Sequence, residues 1–380
     1  QLTVVREVKQ KMQTPSDVEM ESEEEQYFSI HHLPLEMSAC IVEKLDFPTR
    51  MAIRRACRFL HMAESIAKLN LEVLSLYRTG ELEFTLCAKD NRSDTWMVVQ
   101  NVDGKNIARW KDDDDVSFKL AKSESKSTPF ERNDTPLGEV EDTLQEYLNR
   151  SNIDILLIDG FHCSDESMAQ LCGMLRDKSI TQFRLAAPFS TTSDARLYDI
   201  LLGCPSLRSI TLAIHRCSHK EVVLEKEFLL YAVSRLDTLI VHSRTLRAPH
   251  NVDDLVVDNK MLLSLCSAKC THLELLYYLP LLTADGIFAV LKHLANREET
   301  NLGLKVYFRS ELHFKLWNLL GFDSGQECRE VSIVHLQPCK KVVLKVKTCN
   351  SSGEFCKIIV EKKALTDVPV TIIEDTTANC

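Results

Sequence analysis

Three short segments of this chain carry the same apolar signature at the same interval. Ile153-Leu156-Ile158, Ile180-Phe183-Leu185 and Leu207-Ile210-Leu212 each place apolar side chains at the first, fourth and sixth positions, and both 180 − 153 and 207 − 180 give 27. Two looser copies, Leu236-Leu239-Val241 and Cys270-Leu273-Leu275, follow at steps of 29 (236 − 207) and 34 (270 − 236), which leaves room for longer loops or helices on the outer side. Positions four and six of an extended segment share one face. Helical patterns fill the intervals: Asp165 to Lys178 behind a Ser164 cap, Thr192 to Gly203 ending at Gly203-Cys204-Pro205, and Asp285 to Arg297 behind Thr283. A strand and a helix that recur at a fixed period bury their apolar sides only by stacking on neighbouring copies, so the period predicts an α/β array.

This arrangement resembles the leucine-rich repeat. It departs from that pattern where an Asn or Cys usually follows the third apolar residue, since Asp159, Ala186 and Ala213 stand there. With positions four and six turned inward, alternation turns Gln182, Arg184, Ser209, Thr211, Thr238, His242, His272 and Glu274 outward. The resemblance implies that these residues line a concave strand face that holds a protein substrate, although any solvated sheet face would show the same mix. The repeat domain is expected over residues 137–363. It opens on a helix from Leu137 to Arg150 with Leu137, Val140, Leu144 and Leu148 on one side. It closes with a helix from Glu311 to Leu320, a strand from Val331 to Val334, and a hairpin of Val342 to Lys347 and Phe355 to Glu361 around Asn350-Ser351-Ser352-Gly353. A polar tail, 364–380, follows.

Upstream the composition changes several times. Residues 1–26 include Glu19, Glu21, Glu23, Glu24 and Glu25 and few large apolar residues, the signature of a disordered acidic tail. Leu33, Met37, Ile41 and Leu45 then recur at steps of four behind Pro34, a helical stripe. A second helical run after Pro48 has Met51, Ile53, Ala56, Cys57, Leu60 and Ala63 on one side and Arg50, Arg54, Arg55 and Arg58 on the other, and a third stripe continues through Ile66, Leu69, Val73 and Leu76 to Gly80. Residues 81–121 read as a small antiparallel β section. Glu81 to Leu86 alternates, Thr95 to Val102 is rich in Trp and Val, Asp103-Gly104 supplies a turn toward Trp110, and Val116 to Leu120 adds a further strand. Residues 122–136 read as a linker.

Leu33-Pro34-Leu35-Glu36, followed by Ile41, Leu45, Arg54 and Cys57-Arg58, resembles an F-box: a Leu-Pro-x-Glu helix start, a spaced Ile and Leu, and a terminal Cys with a basic residue. The match covers Phe28 to Met62, and Leu60 stands where many F-boxes carry Trp. The layout as a whole is similar to the expanded F-box families of nematodes. That resemblance implies a multi-domain α+β chain: a three-helix F-box with its following helix in residues 27–80, the small antiparallel β section, and the α/β leucine-rich-repeat-like solenoid. It further implies that the F-box docks on the Skp-family adaptor of a cullin–RING ubiquitin ligase. The docking residues would be Leu33, Pro34, Glu36, Met37, Ile41, Leu45, Ile53, Cys57 and Leu60, with the repeat domain receiving a protein substrate. A helical trio this short buries little by itself, so its apolar residues need either a partner or the following domain. An interaction scaffold or sensor without ubiquitin transfer would use the same surfaces.

Enzymatic chemistry finds little footing. Only 11 glycines occur in 380 residues, with no Gly-rich phosphate loop, and neither a cofactor nor a resident metal is expected. His215-x-Cys217-x-His219 lacks a second ligand pair, Asp112 to Asp115 lacks a calcium-loop glycine, and His162-Cys163 is a chance adjacency in a chain with 14 cysteines and 12 histidines. Those cysteines fall singly at apolar positions such as Cys40, Cys57, Cys172 and Cys266, as reduced thiols do in the cytoplasm or nucleus, where the Asn-x-Ser/Thr triplets at Asn91, Asn133, Asn149 and Asn350 would meet no glycosylation. A formal net charge of −9 disfavours nucleic acid as a partner. The longest apolar run, Leu273 to Leu282, is broken by Glu274 and Pro280 and falls short of the roughly 20 residues of a membrane span.

Overall fold

A computed structural model describes residues 32–78, 84–90, 95–102, 105–112, 141–161, 164–189, 194–216, 224, 226–243, 257–276, 279, 281–299, 301–309, 311–321, 328–337, 340–350 and 355–364. Three short helices come first: α1 (Leu35–Val42), α2 (Phe47–Ala56) and α3 (Arg58–Ile66). Asp46 caps α2 by accepting the Thr49 amide at 2.9 Å, and Cys57 Sγ caps α3 by accepting the Leu60 amide at 3.4 Å. Four strands follow, β1 (Leu69–Arg78), β2 (Phe84–Asp90), β3 (Thr95–Val102) and β4 (Lys105–Asp112). Next come α4 (Glu141–Arg150), β5 (Ser151–Asp159), α5 (Asp165–Leu175), β6 (Gln182–Phe189), α6 (Asp194–Gly203), β7 (Ser209–Arg216), α7 (Lys226–Arg235) and β8 (Thr238–Ser243). The chain continues through α8 (Asn259–Ser267), β9 (His272–Leu276), α9 (Ala284–Asn296), β10 (Leu302–Arg309) and α10 (Glu311–Leu319), and ends on β11 (Cys328–Gln337), β12 (Lys340–Asn350) and β13 (Phe355–Ala364). Side-chain hydroxyls or carboxylates start three of the later helices: Ser164 for α5, Asp258 for α8 and Thr283 for α9.

These strands form one mixed sheet in the order β11-β12-β13-β10-β9-β8-β7-β6-β5-β1-β2-β3-β4. Strands β5 to β10 lie side by side in chain order and parallel. Every crossover therefore steps the same way, and right-handed crossovers of that kind put all their helices on one face. Burial agrees with this placement. The register aligns Leu156, Phe183, Ile210, Leu239, Leu273 and Leu304 in one row and Ile158, Leu185, Leu212, Val241, Leu275 and Val306 in the next, and all twelve are buried against the helix layer. Each such side chain contributes about 1.5–3 kcal/mol on burial. The repeated apolar signature is thus the sequence of this ladder.

Several sequence expectations need correction. The third helical stripe ends at Ile66; from Leu69 the chain is strand β1, which runs parallel to β5. Leu69, Val73 and Leu76 fit a helical period, but Leu69-x-Leu71 and Leu74-x-Leu76 also alternate, and a bulge between Leu71 and Val73 lets both pairs face the same core. The antiparallel section is consequently no separate sheet, because β1 to β4 extend the large one. Strand β10 was missed. It continues the ladder, but the position matching the first apolar residue of the signature is Asn301. The acidic tail, the linker, the strand expected at Val116 to Leu120, and the C-terminal tail beyond Ala364, which ends β13, lie outside the described residues.

The large core runs from Leu69 through Val360, Cys87 and Val98 form a minor cluster on the other face of β2 and β3, and Ala39, Val42, Ile53, Leu60, Ala63 and Ala67 make a small core belonging to the three helices. The two bodies meet at a buried charge cluster. Glu64 of α3 receives Arg50, Arg54 and Arg150, the last from the end of α4.

Candidate functional site

Each short helix can turn only part of its apolar surface inward, and the rest is left outside. On α1, Met37 and Ile41 are one turn apart and 54% and 44% exposed, with Pro34 and Glu36 exposed beside them. On α3, Met62 and Ile66 are 44% and 52% exposed, a pair absent from the expected docking set. Leu33, Leu45 and Cys57 are half-buried. Ile53 and Leu60, by contrast, are buried in the core of the trio and present no docking surface. Two of the residues expected to dock, Ile53 and Leu60, thus hold the trio's own helices together. Elsewhere among the described residues the large exposed apolar side chains are scattered: Leu202, Leu281 and Phe314.

The side of the sheet opposite the crossover helices carries the other expected site. Register sets Gln182, Ser209, Thr238 and His272 in one row and Arg184, Thr211, Ile240 and Glu274 in the next, with His242 one row further along. Gln182 and Arg184 are exposed, whereas Ser209, Thr211, Thr238, His242 and His272 are half-buried. Glu274 departs from expectation, because it lies on this face yet is buried. Its own partners cover it: His272 Nε2 is 2.8 Å and Lys305 Nζ 2.6 Å from Oε1, and His242 Nε2 is 3.5 Å from Oε2. Burial opposes ionisation of Glu274, but the contacts from His242, His272 and Lys305 and the Lys305 charge outweigh it and hold the carboxyl well below the usual carboxylate range. Reversing this charge is therefore no silent surface change.

Lys305 escaped the sequence reading together with β10. Its neighbour Gly303 is the register partner of His272 and leaves the space that the imidazole fills, since a Cβ there would come within 2.3 Å of His272 Nδ1. Gly303→Ala should push His272 off Glu274 and cost about 1–3 kcal/mol, the usual range for overpacking. Chemical denaturation of the variant measures it, and a change below about 0.5 kcal/mol would mean that the ring moves aside freely.

Catalytic or metal chemistry gains no geometry from these neighbourhoods. Among the described residues no group of three or more His, Cys, Asp and Glu side chains is arranged to hold a metal ion. His162, Cys163, Cys217, His219 and Asp113 to Asp115 lie outside the described residues. The described cysteines are free thiols. Burial pushes Cys172 and Cys204 up to about 11 and Cys266 up to about 12, so these three stay protonated near neutrality and fill space in place of acting as nucleophiles. Among the described residues no helix is long and apolar enough to cross a membrane. No protein-family model matches the chain, and no curated protein matches it.

Proposed function

We propose that this chain is a substrate receptor of a Skp–cullin–F-box ubiquitin ligase, with the three helices docking on the Skp adaptor and a leucine-rich-repeat-like solenoid presenting a protein substrate on the strand face opposite its crossover helices. The carrying observation is that Met37 and Ile41 on α1, and Met62 and Ile66 on α3, are left exposed by a helical trio that has its own small core. Apolar side chains left out by one compact unit are what a partner's helices cover. The polar, ion-paired character of the strand face suits protein recognition better than catalysis.

Converting Met37 and Ile41 together to Asp tests the reading. Truncating a central apolar anchor commonly costs about 2 kcal/mol or more of binding, so the pair should abolish capture of a Skp adaptor. Exposed substitutions usually shift stability by only about 0.5 kcal/mol, so thermal unfolding should be little changed. Full adaptor capture by the double variant, or none by the wild type, would remove the F-box assignment. Adaptor capture without cullin would favour the scaffold reading.

A further inference from the structure

Methionine sulfur is divided between inside and outside in this chain. Of the 9 methionines, Met12 and Met20 lie outside the described residues. Met97, Met168, Met174 and Met261 are buried in the large core, and Met51 of α2 is half-buried. Met37 of α1 and Met62 of α3 are exposed, so among the described residues both exposed methionines belong to the helical trio. Each has an exposed isoleucine one turn along its own helix, Ile41 and Ile66. A thioether is soft and readily oxidised, and access to solvent decides which one an oxidant reaches first.

We infer that Met37 and Met62 are oxidation sites, and that their conversion to methionine sulfoxide by hydrogen peroxide switches adaptor docking off. The docking half of this inference rests on the function proposed above. The sulfur lone pair attacks one peroxide oxygen, the O–O bond breaks, and proton transfer releases the other oxygen as water. Sulfur gives up two electrons and gains an S=O bond, and the peroxide is reduced. The product keeps the length of methionine but carries a strong acceptor oxygen. On the free chain that oxygen is hydrated and costs little, whereas a partner's apolar helices would bury it without a donor. The effect therefore falls on binding and spares the fold, because the four core methionines are shielded. Docking and oxidation compete for the same two side chains, so each suppresses the other. Cys40 of α1 is also exposed, but early thiol oxidation is reversed by a thiol reductant, while sulfoxide needs the methionine sulfoxide reductases.

The experiment treats the full chain with limiting hydrogen peroxide and then a thiol reductant, follows each methionine by peptide mass spectrometry, and titrates a Skp adaptor against the product. Met37 and Met62 should gain oxygen well ahead of Met97, Met168, Met174 and Met261, and prior addition of the adaptor should slow both. The oxidised chain should bind the adaptor about tenfold or more weakly, melt where the reduced chain melts, and recover its affinity after treatment with the two sulfoxide reductases, one for each epimer. Cys40→Ser should leave the response to peroxide in place. Met37→Leu with Met62→Leu removes both sulfurs, and whatever the starting affinity of that variant, peroxide should not change it. Oxidation of the core methionines as fast as Met37 and Met62, full affinity with both as sulfoxides, or an equal loss in the Leu pair would each overturn the inference. A reduced chain that captures no adaptor sinks the ligase reading and the docking switch with it, while the order of oxidation, read without the adaptor, still decides whether the two sites exist.

Discussion

Replacing Glu64 by Ala is expected to remove about 3–5 kcal/mol of stability, the cost of breaking a buried ion pair by deleting one partner. Glu64 is 1% exposed, and Arg50, which lies 3.4 Å from its Oε1, is 2% exposed. Arg50 also donates to the Lys68 carbonyl at 2.8 Å and the Ala67 carbonyl at 3.1 Å, so the turn between α3 and β1 fixes it in place, and it cannot swing into water when the carboxylate is gone. Arg54 and Arg150, at 3.3 and 3.1 Å, are more accessible and would be rehydrated at little cost. The loss therefore arises mainly at Arg50. Domains of ordinary stability hold about 5–15 kcal/mol, so the variant should be close to unfolding at physiological temperature.

The same substitution should loosen the joint between the two bodies. Arg150 ends α4 and reaches both the Glu64 carboxylate and, at 2.9 Å, its backbone carbonyl. In urea the wild type should unfold in one transition, whereas Glu64→Ala should melt its three helices ahead of the sheet. Glu64→Gln keeps the shape and some hydrogen bonding, and should fall between the two. A stability change under about 1 kcal/mol for Glu64→Ala would mean that Arg50 finds another counter-charge.

What the sequence revealed follows from which residues choose their partners locally. The inward positions of β5 to β9 were legible because one periodicity sets both secondary structure and burial there, as in Phe183 and Leu185 or Leu273 and Leu275. Segment Leu69 to Leu76 was not, because its leucines satisfy two periods and the choice is made by β5, about eighty residues away. Glu274 was placed on the right face but with the wrong exposure. Alternation decides a side chain's direction, and only the neighbours on β8 and β10 decide whether it is covered. Ile53 and Leu60 failed in the opposite sense. A helical stripe shows that a residue avoids water without showing whether its own chain or a partner covers it.

Trp317→Ala should be the most damaging substitution in the large core, at about 3–5 kcal/mol for loss of a buried tryptophan. Trp317 sits on α10 at 1% exposure, and its Nε1 donates to His313 Nε2 at 2.9 Å and to Thr348 Oγ1 at 3.1 Å. His313 Nε2 and Thr348 Oγ1 are themselves 2.9 Å apart. The single indole N–H is shared between His313 Nε2 and Thr348 Oγ1, and the His313 tautomer decides which of His313 and Thr348 donates to the other. All three groups are buried, so truncation opens a large void and strips the other two of a shared partner. Trp317→Phe keeps most of the volume and loses only the N–H, and should cost about 1–3 kcal/mol. Because Thr348 belongs to β12, this network ties α10 to the antiparallel strands that follow β10, and the core is continuous from there through Val346, Ile358 and Val360. The destabilisation should therefore spread across the sheet. Hydrogen exchange should show amides of β6, β7, β12 and β13 losing protection together in Trp317→Ala, with a single unfolding transition at lower denaturant. Loss confined to β11 to β13, with β6 and β7 as protected as in the wild type, would show that the last three strands fold as a separate unit and that Trp317 belongs to that unit alone.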